Sequence, residues 1–293
     1  MYSIGIIGIG VLGTAIYETF KPYTTINLKC YDKYKIIHTN DTNDTNDYVK
    51  EINDLSHCDI IFLCLPTEYD TIKKEFNKTE IINVCNELSS IHYKGILFLK
   101  STVEPKTTTH LSQLYPFLTI IHNPEFLSAK TATEDFKTQT HLVLGFPKKK
   151  NSNCNNNSND EFISKNETII TYITIFFKTY FKNATISLCS SDESESMKLF
   201  CNSFYATKIQ FFTEIKLLCD TMNIEYNNVK NLMLNNGWIN PMHTIIPGHD
   251  GELSFGGKCL PKDINALGSL CNTMNSPNEV IQAVINENKK MRP

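Results

Sequence analysis

The stretch GIIGIGVLGTA, Gly5–Ala15, decides the fold. It places Gly8, Gly10 and Gly13 in G-x-G-x-x-G spacing, directly after the apolar run Tyr2–Ile7 and at the start of a helix-like segment. In a turn from strand to helix the first glycine permits the tight bend and the second lets a pyrophosphate approach the backbone. The third lets helix and strand pack closely, with the helix N-terminus, at Val11 and Leu12, facing the anion. Nineteen residues after Gly13, Asp32 closes the next apolar run, Ile26–Tyr31. That context turns a weak glycine pattern into a dinucleotide fingerprint; the competing reading is a glycine-rich turn with no ligand. The Asp32 carboxylate can accept hydrogen bonds from a ribose diol and would repel a 2′-phosphate. It therefore points to NAD rather than NADP, although Lys33 and Lys35 lie beside it.

Working outward, apolar runs recur at Ile60–Leu65, Ile96–Leu99, Leu118–Ile121, His141–Phe146 and Ala184–Leu188. Several are unbroken Ile/Leu/Val/Phe stretches, as expected of strands buried on both faces of a parallel sheet. Their alternation with helix-like segments predicts an α/β, Rossmann-type doubly wound parallel sheet over residues 1–190. Two polar low-complexity stretches, Thr39–Asp47 and Lys148–Asp160, interrupt it and read as loops. The triplet Lys148–Lys150 reads as a solvated loop rather than a basic patch, since no aromatic or further clustered cation accompanies it.

From about Ser191 the pattern becomes helical. Ser and Asp supply caps, and Met197, Cys201, Phe204, Phe211, Ile215 and Leu218 recur near the helical period. A long helix opening a helical central domain over 191–293 is expected. Gly237–Gly257 reads as a loop, with helix resuming from Pro261 to the end. The stripe exceeds what one small domain covers.

Composition narrows the partners. A hydrophobic fraction of 41%, a charged fraction of 20% and a formal charge of −3 fit a globular chain with no electrostatic call on nucleic acid or an anionic membrane. No apolar run approaches the roughly 20 residues of a membrane span. With no secretory leader, the ten cysteines read as reduced thiols and the expected location is cytoplasmic. Neither Cys-x-x-Cys nor metal-ligand histidine spacing occurs, so no metal is expected. Arg292 is the only arginine, so a site needing a bidentate guanidinium must manage with lysine or backbone donors.

One cysteine stands apart. In SFGGKCLPKD, Ser254–Asp263, Cys259 follows Gly-Gly-Lys and precedes a Lys-Asp pair, where backbone is exposed and charge concentrated. Four more segments lie where chemistry is expected: LPTEYD (Leu65–Asp70), KSTVEP (Lys100–Pro105), NPEFLSAKTATEDF (Asn123–Phe136) and MKLFCNSFYATKI (Met197–Ile209). The first three follow strands, where ligands of such sheets bind. Lys198 and Asn202 are four apart and so share a helix face.

In this combination the chain resembles the UDP-glucose/GDP-mannose dehydrogenase family, in order from Met1 to about Met291. The resemblance implies NAD-dependent oxidation of the C6 alcohol of a nucleotide sugar, UDP-glucose first among them, to a carboxylate in two hydride transfers. It implies that Cys259 is the nucleophile, forming a thiohemiacetal and then a thioester. Glu125 would be the acid/base of thioester hydrolysis, Lys198 and Asn202 oxyanion donors, and Asp263 with Thr102 the holders of an ordered water. Thr67, Ser101 and Lys262 would lie at the cofactor, and Phe126, Leu127, Phe255, Gly256 and Gly257 at the substrate. The resemblance also implies a homodimer, with the long helix as its core. A free thiol is only a few per cent thiolate near neutrality; Lys258, Lys262 and a nearby NAD⁺ would favour that form.

The chain also departs from the family pattern. Ala129 and Lys130 stand where an acidic residue and glycine are usual. No arginine occurs near Trp238, and the loop before Cys259 is longer, with His243, His249 and Asp250. A further α/β domain that would grip the nucleotide, usual in the family, is not expected here. Two other readings remain: a single-step hydroxyacid dehydrogenase, which needs no Cys259, and a degenerate NAD-binding module. The NADH yield per substrate, two, one or none, separates the three.

Overall fold

The computed structural model describes residues 1–35, 47–148 and 159–292, with the backbone alone described for 159–165. The loop readings for Thr39–Asp47 and Lys148–Asp160, and the lysine triplet, fall largely outside the described residues; Asn159 and Asp160 begin a helix. The chain divides into two compact units. The first comprises Met1–Thr67 and Lys78–Ser196, the second Glu68–Asn77 and Met197–Pro293.

In the first unit the strands are β1 (Tyr2–Ile7), β2 (Ile26–Tyr31) and β3 (Ile60–Leu63). A hairpin, β4 (Tyr69–Asp70) and β5 (Glu75–Phe76), comes next in sequence but belongs to the second unit. The sheet continues with β6 (Ile96–Leu99), β7 (Thr119–His122), β8 (His141–Phe146) and β9 (Thr185–Ser190). Its spatial order is β2-β1-β3-β6-β7-β8-β9. Every pairing is parallel except β7 with β8, so the expected parallel sheet is interrupted once. Three strands also differ in extent from the apolar runs: β3 stops at Leu63, β7 reaches His122, and β9 runs to Ser190.

The helices between the strands are α1 (Val11–Phe20), α2 (Thr79–Ser90), α3 (Thr107–Leu114), α4 (Ala132–Lys137) and α5 (Asn159–Tyr180). Alternate strand residues serve opposite layers, because successive side chains point to opposite faces. Ile60, Phe62, Ile96 and Phe98 join the core beneath Phe20, Phe176 and Phe177. Ile61, Leu63, Leu97 and Leu99 join the layer of Val84, Leu88 and Leu111. Phe62 stacks on Phe98 at 5.4 Å between centroids, and each such fully buried ring contributes about 1.5–3 kcal/mol.

Register aligns the carboxyl ends of the parallel strands. Ile7 pairs with Tyr31 and Leu63, Leu63 with Leu99, and Leu99 with His122. The residues that follow, Gly8, Asp32, Cys64, Lys100 and Asn123, therefore share one edge of the sheet. Backbone hydrogen bonds extend the ladder to them: Gly8 N–H to the Tyr31 carbonyl at 2.9 Å, Lys100 N–H to that of Leu63 at 3.0 Å, and Asn123 N–H to that of Leu99 at 2.9 Å.

α6 (Ser191–Thr221) starts in the first unit and continues into the second, which adds α7 (Tyr226–Asn235), α8 (Leu260–Thr273) and α9 (Glu279–Met291). Helix thus resumes at Leu260 but breaks between Thr273 and Glu279. The apolar stripe of α6 is not its buried face. Of the stripe, Phe204, Phe211 and Leu218 are exposed, with Phe200 beside them, and Met197, Cys201 and Ile215 are half-buried, whereas Lys198, Asn202, Ser203, Gln210 and Thr213 are buried with Leu199, Ala206 and Phe212. The helix buries a largely polar face and exposes an aromatic one.

Candidate active site

The glycine turn of the first unit has the form its spacing predicts. Gly8 sits at φ +90°, and a Cβ there would lie 2.6 Å from the Cys64 carbonyl oxygen. A Cβ on Gly13 would lie 2.0 Å from the Gly8 carbonyl oxygen, so α1 can start only because that atom is absent. Around Gly10 the space is open: nothing stands within 4 Å of where its Cβ would be. Gly10 is the N-cap of α1, whose first turn carries no acidic residue. A helix N-terminus left open and free of carboxylates suits a diphosphate.

The cleft in front of this turn measures about 800 Å³ and is lined by Ile9, Gly10, Val11, Thr14, Lys35 and residues 129–134. Lys130, out of family pattern, is therefore in the same cleft as Gly10. Asp32 is oriented by backbone donors: its Oδ2 accepts the Ile9 N–H at 2.7 Å, and its Oδ1 those of Tyr34 and Lys35 at 3.0 and 3.1 Å. Lys33 pairs with Glu80 at 3.3 Å. Open cradle, oriented carboxylate and uncapped helix fit the pyrophosphate and ribose of a dinucleotide. Leu12, second residue of α1, is half-buried against the core.

Along the sheet edge the polar side chains tie loops to one another. The Thr67 hydroxyl donates to the Thr102 carbonyl at 2.7 Å, and the Ser101 hydroxyl to the Leu65 carbonyl at 2.6 Å. Thr67 and Ser101 are buried, and Thr102 is half-buried. Glu125 is half-buried, its Oε2 accepting the Leu127 N–H at 2.6 Å; Phe126 is exposed.

Several buried polar groups here escaped the sequence reading. Lys100, only 2% exposed, donates to the Asn123 Oδ1 at 2.8 Å, and the Asn123 amide donates to the Val143 carbonyl at 2.9 Å. His122 Nδ1 and Ser194 Oγ lie 2.7 Å apart. The Thr108 N–H donates to the Glu195 Oε1 at 2.7 Å, while Glu195 Oε2, Thr108 Oγ1 and Ser112 Oγ are buried without a hydrogen-bond partner. Burial pushes the Glu195 carboxyl up to about 7, against the hydrogen bond from Thr108. A place at a strand end is the only local signal for Lys100, His122 and Asn123, and Thr108 and Glu195, inside helices, have none; the partners lie 20 to 87 positions away.

In the second unit, Lys198 and Asn202 project from the buried face of α6. The Asn202 amide donates to the Asp263 Oδ2 at 2.6 Å, and Lys262 Nζ donates to Oδ1 at 2.6 Å. Asp263 is fully buried, so both partners are needed to hold a carboxylate there. Lys262 Nζ also lies 4.3 Å from the centroid of Phe76, on the hairpin.

Cys259 caps α8, with Pro261 in its first turn and the Asp263 N–H donating to the Cys259 carbonyl at 3.0 Å. Among the described cysteines it alone is exposed. Buried thiols such as Cys30 and Cys85 are pushed up to about 12 by desolvation, which keeps them protonated and inert. Before Cys259, Phe255 is buried with Ala206, Ile264, Val284 and Ile285, and Gly257 takes φ +77°.

Arg292, the single arginine, forms a bidentate pair with Asp250 at 2.7 and 3.2 Å and holds its carboxyl down at about 2 through those hydrogen bonds. No group of three or more His, Cys, Asp or Glu suited to a metal occurs among the described residues.

A dinucleotide-binding α/β unit followed by a helical unit that presents one exposed thiol at a helix N-terminus defines the class. Two family models match: the NAD binding domain of the UDP-glucose/GDP-mannose dehydrogenase family over residues 32–163, and its central domain over 192–290. The chain belongs to the UDP-glucose/GDP-mannose dehydrogenase family. It is 27% identical over 233 residues to a UDP-glucose 6-dehydrogenase of Campylobacter jejuni subsp. jejuni serotype O:2, covering 80% of this chain and 53% of that one. The chain spans about half the length of the curated relatives it matches. A UDP-glucose dehydrogenase from the archaeon Pyrobaculum islandicum has a similar fold, with a TM-score of 0.80 at 18% identity, covering 99% of this chain and 68% of that one. A 3-hydroxyisobutyrate dehydrogenase of Mycobacterium tuberculosis shares the fold with a TM-score of 0.67 at 10% identity, covering 99% of this chain and 93% of that one. No helix among the described residues is long and apolar enough to cross a membrane.

Proposed function

We propose that the chain carries out NAD-dependent, two-step oxidation of a nucleotide-sugar C6 alcohol to the uronic acid, with UDP-glucose the first substrate to test. The observation that carries this reading is Cys259, the one exposed thiol among the described cysteines, at the N-terminus of α8. A helix N-terminus favours the thiolate, the form that attacks a carbonyl. The residues of the Gly8–Gly13 turn would hold the pyrophosphate of NAD⁺ and Asp32 its ribose; the cofactor would supply the hydride acceptor, one NAD⁺ for each oxidation.

The first oxidation turns the alcohol into an aldehyde, losing a hydride and a proton. The Cys259 sulfur then adds to the aldehyde carbon to give a thiohemiacetal, whose oxygen takes up a proton. Loss of hydride from that carbon and of the hydroxyl proton leaves a thioester. Water, deprotonated by Glu125, attacks the thioester carbonyl; the C–S bond breaks, and the thiolate and acid are released. Lys198 and Asn202 donate to the oxygen that becomes negative, an interaction of about 3 kcal/mol per fixed donor. The Asn202–Asp263–Lys262 contacts keep the amide in place for it.

The outward aromatic face of α6 supports a homodimer built on that helix. A spectrophotometric assay over a panel of nucleotide sugars tests the chemistry: two NADH per sugar are expected. One NADH per substrate would return the chain to a single-step dehydrogenase, and none with any sugar to a binding module.

A further inference from the structure

We infer that Arg292 is a positioning residue for Cys259: its guanidinium, closed on Asp250 and on two backbone carbonyls, sets the path by which the chain enters the Gly256–Cys259 turn. Arg292 follows α9 and uses all three of its nitrogens on one loop. Nη1 and Nη2 engage Asp250 at 2.7 and 3.2 Å, Nε donates to the Leu253 carbonyl at 2.6 Å, and Nη2 also to that of Ser254 at 3.2 Å. Asn288, one turn earlier on α9, donates to the Phe255 carbonyl at 2.7 Å and to Ser254 Oγ at 2.9 Å. Three consecutive carbonyls, Leu253, Ser254 and Phe255, are thus held from α9, and Ser254 sits at φ +59°. Gly256 is shaped to the same guanidinium: a Cβ there would lie 2.2 Å from Nη1. Only Gly256, Gly257 and Lys258 then separate the anchored backbone from the thiol at the start of α8. Lysine, a point charge on a flexible stem, cannot span the carboxylate and both carbonyls at once.

The inference rests on Cys259 being the reacting thiol, and its test does not need turnover. Amide exchange over residues 251–257 and the rate of Cys259 alkylation by iodoacetamide at pH 7.5 are measured on the whole chain, with the modified peptide identified by mass. In Arg292→Met, exchange is expected to rise about tenfold as the loop opens locally. Alkylation should slow about threefold, because the thiol spends less time over the α8 N-terminus that favours its thiolate. Arg292→Lys should lie between the two. Gly256→Ala should reproduce both changes in the native background and add little on top of Arg292→Met. Asp250→Asn, which keeps the shape of the loop, is the milder variant should Arg292→Met fail to fold, with the same directions expected.

Unchanged exchange in folded variants would overturn the clamp, and faster exchange with unaltered alkylation would overturn its hold on Cys259. A native Cys259 reacting no faster than in the urea-unfolded chain would overturn the reading of the thiol itself, and the exchange pattern would still decide the clamp.

Discussion

Glu195→Gln should stabilise the first unit, and only above mildly acidic pH. Glu195 is fully buried in α6, with one oxygen on the Thr108 amide and the other, like Thr108 Oγ1 and Ser112 Oγ, without a partner. Burial raises its carboxyl from 4.5 to about 7, with Asp192 adding to the effect. Below pH 4.5 both folded and unfolded chains carry the proton. Between 4.5 and 7 the unfolded chain releases it while the folded chain keeps it, so stability falls as pH rises and levels off above 7. At about 1.4 kcal/mol per pH unit over that interval, the loss reaches about 3 kcal/mol. Glutamine stays neutral throughout, keeps an acceptor for Thr108, and brings a donor for an orphaned hydroxyl. Urea unfolding followed by far-UV circular dichroism at pH 5, 6, 7 and 8 should therefore show variant and native chain close together at pH 5 and separating to about 3 kcal/mol by pH 8. The fluorescence of Trp238 is not a substitute, since that residue lies in the second unit. Stability curves that stay parallel across this range would refute the idea that a buried, neutral carboxyl underlies α3.

Other outcomes are expected from the same structure. Cys259→Ser should still bind NADH in a fluorescence titration yet stop after at most one NADH per sugar, whereas full two-NADH turnover would remove the thiol from the reaction. Gly8→Ala puts a Cβ 2.6 Å from a carbonyl oxygen at φ +90°. It should cost about 2 kcal/mol in stability and abolish NADH binding, both measurable by thermal shift with and without cofactor. Phe204→Glu combined with Phe211→Glu charges the exposed stripe of α6. Light scattering should show the native chain as a dimer and the variant as a monomer.

What was legible in the sequence was local. The Gly8–Gly13 turn and Asp32 depend on residues a few positions apart and on the strand-turn-helix order around them, so pattern and chemistry coincide. α6 was legible as a striped helix, but periodicity carries no information about what covers the stripe. That Lys198 and Asn202 share a face follows from their spacing, but that this face is buried depends on Asp263, 61 positions beyond Asn202, as the partner of the amide. Lys100–Asn123, His122–Ser194 and Glu195–Thr108 were opaque for the same reason: a lone polar residue reads as exposed until its distant partner is known. The β4–β5 hairpin has strands of two residues each, too short for any alternation to register. The contacts of Arg292 were equally illegible, since its partners, Asp250 to Ser254, lie about forty positions away.

The β4–β5 hairpin has a consequence for anyone wishing to take the protein apart. Its Phe76 is buried with Leu199, Ala266 and Leu267, and the Tyr69 hydroxyl lies 2.6 Å from Ser269 Oγ, although both flanks of the hairpin belong to the other unit. A clone beginning at Met197 would therefore lack the aromatic lid over Leu199 and the ring beneath Lys262. One ending at Ser196 would carry an orphaned Phe76 into solvent. The two halves are separable on paper only by three cuts: the first needs ten residues, Glu68–Asn77, excised, and the second needs the same ten grafted on.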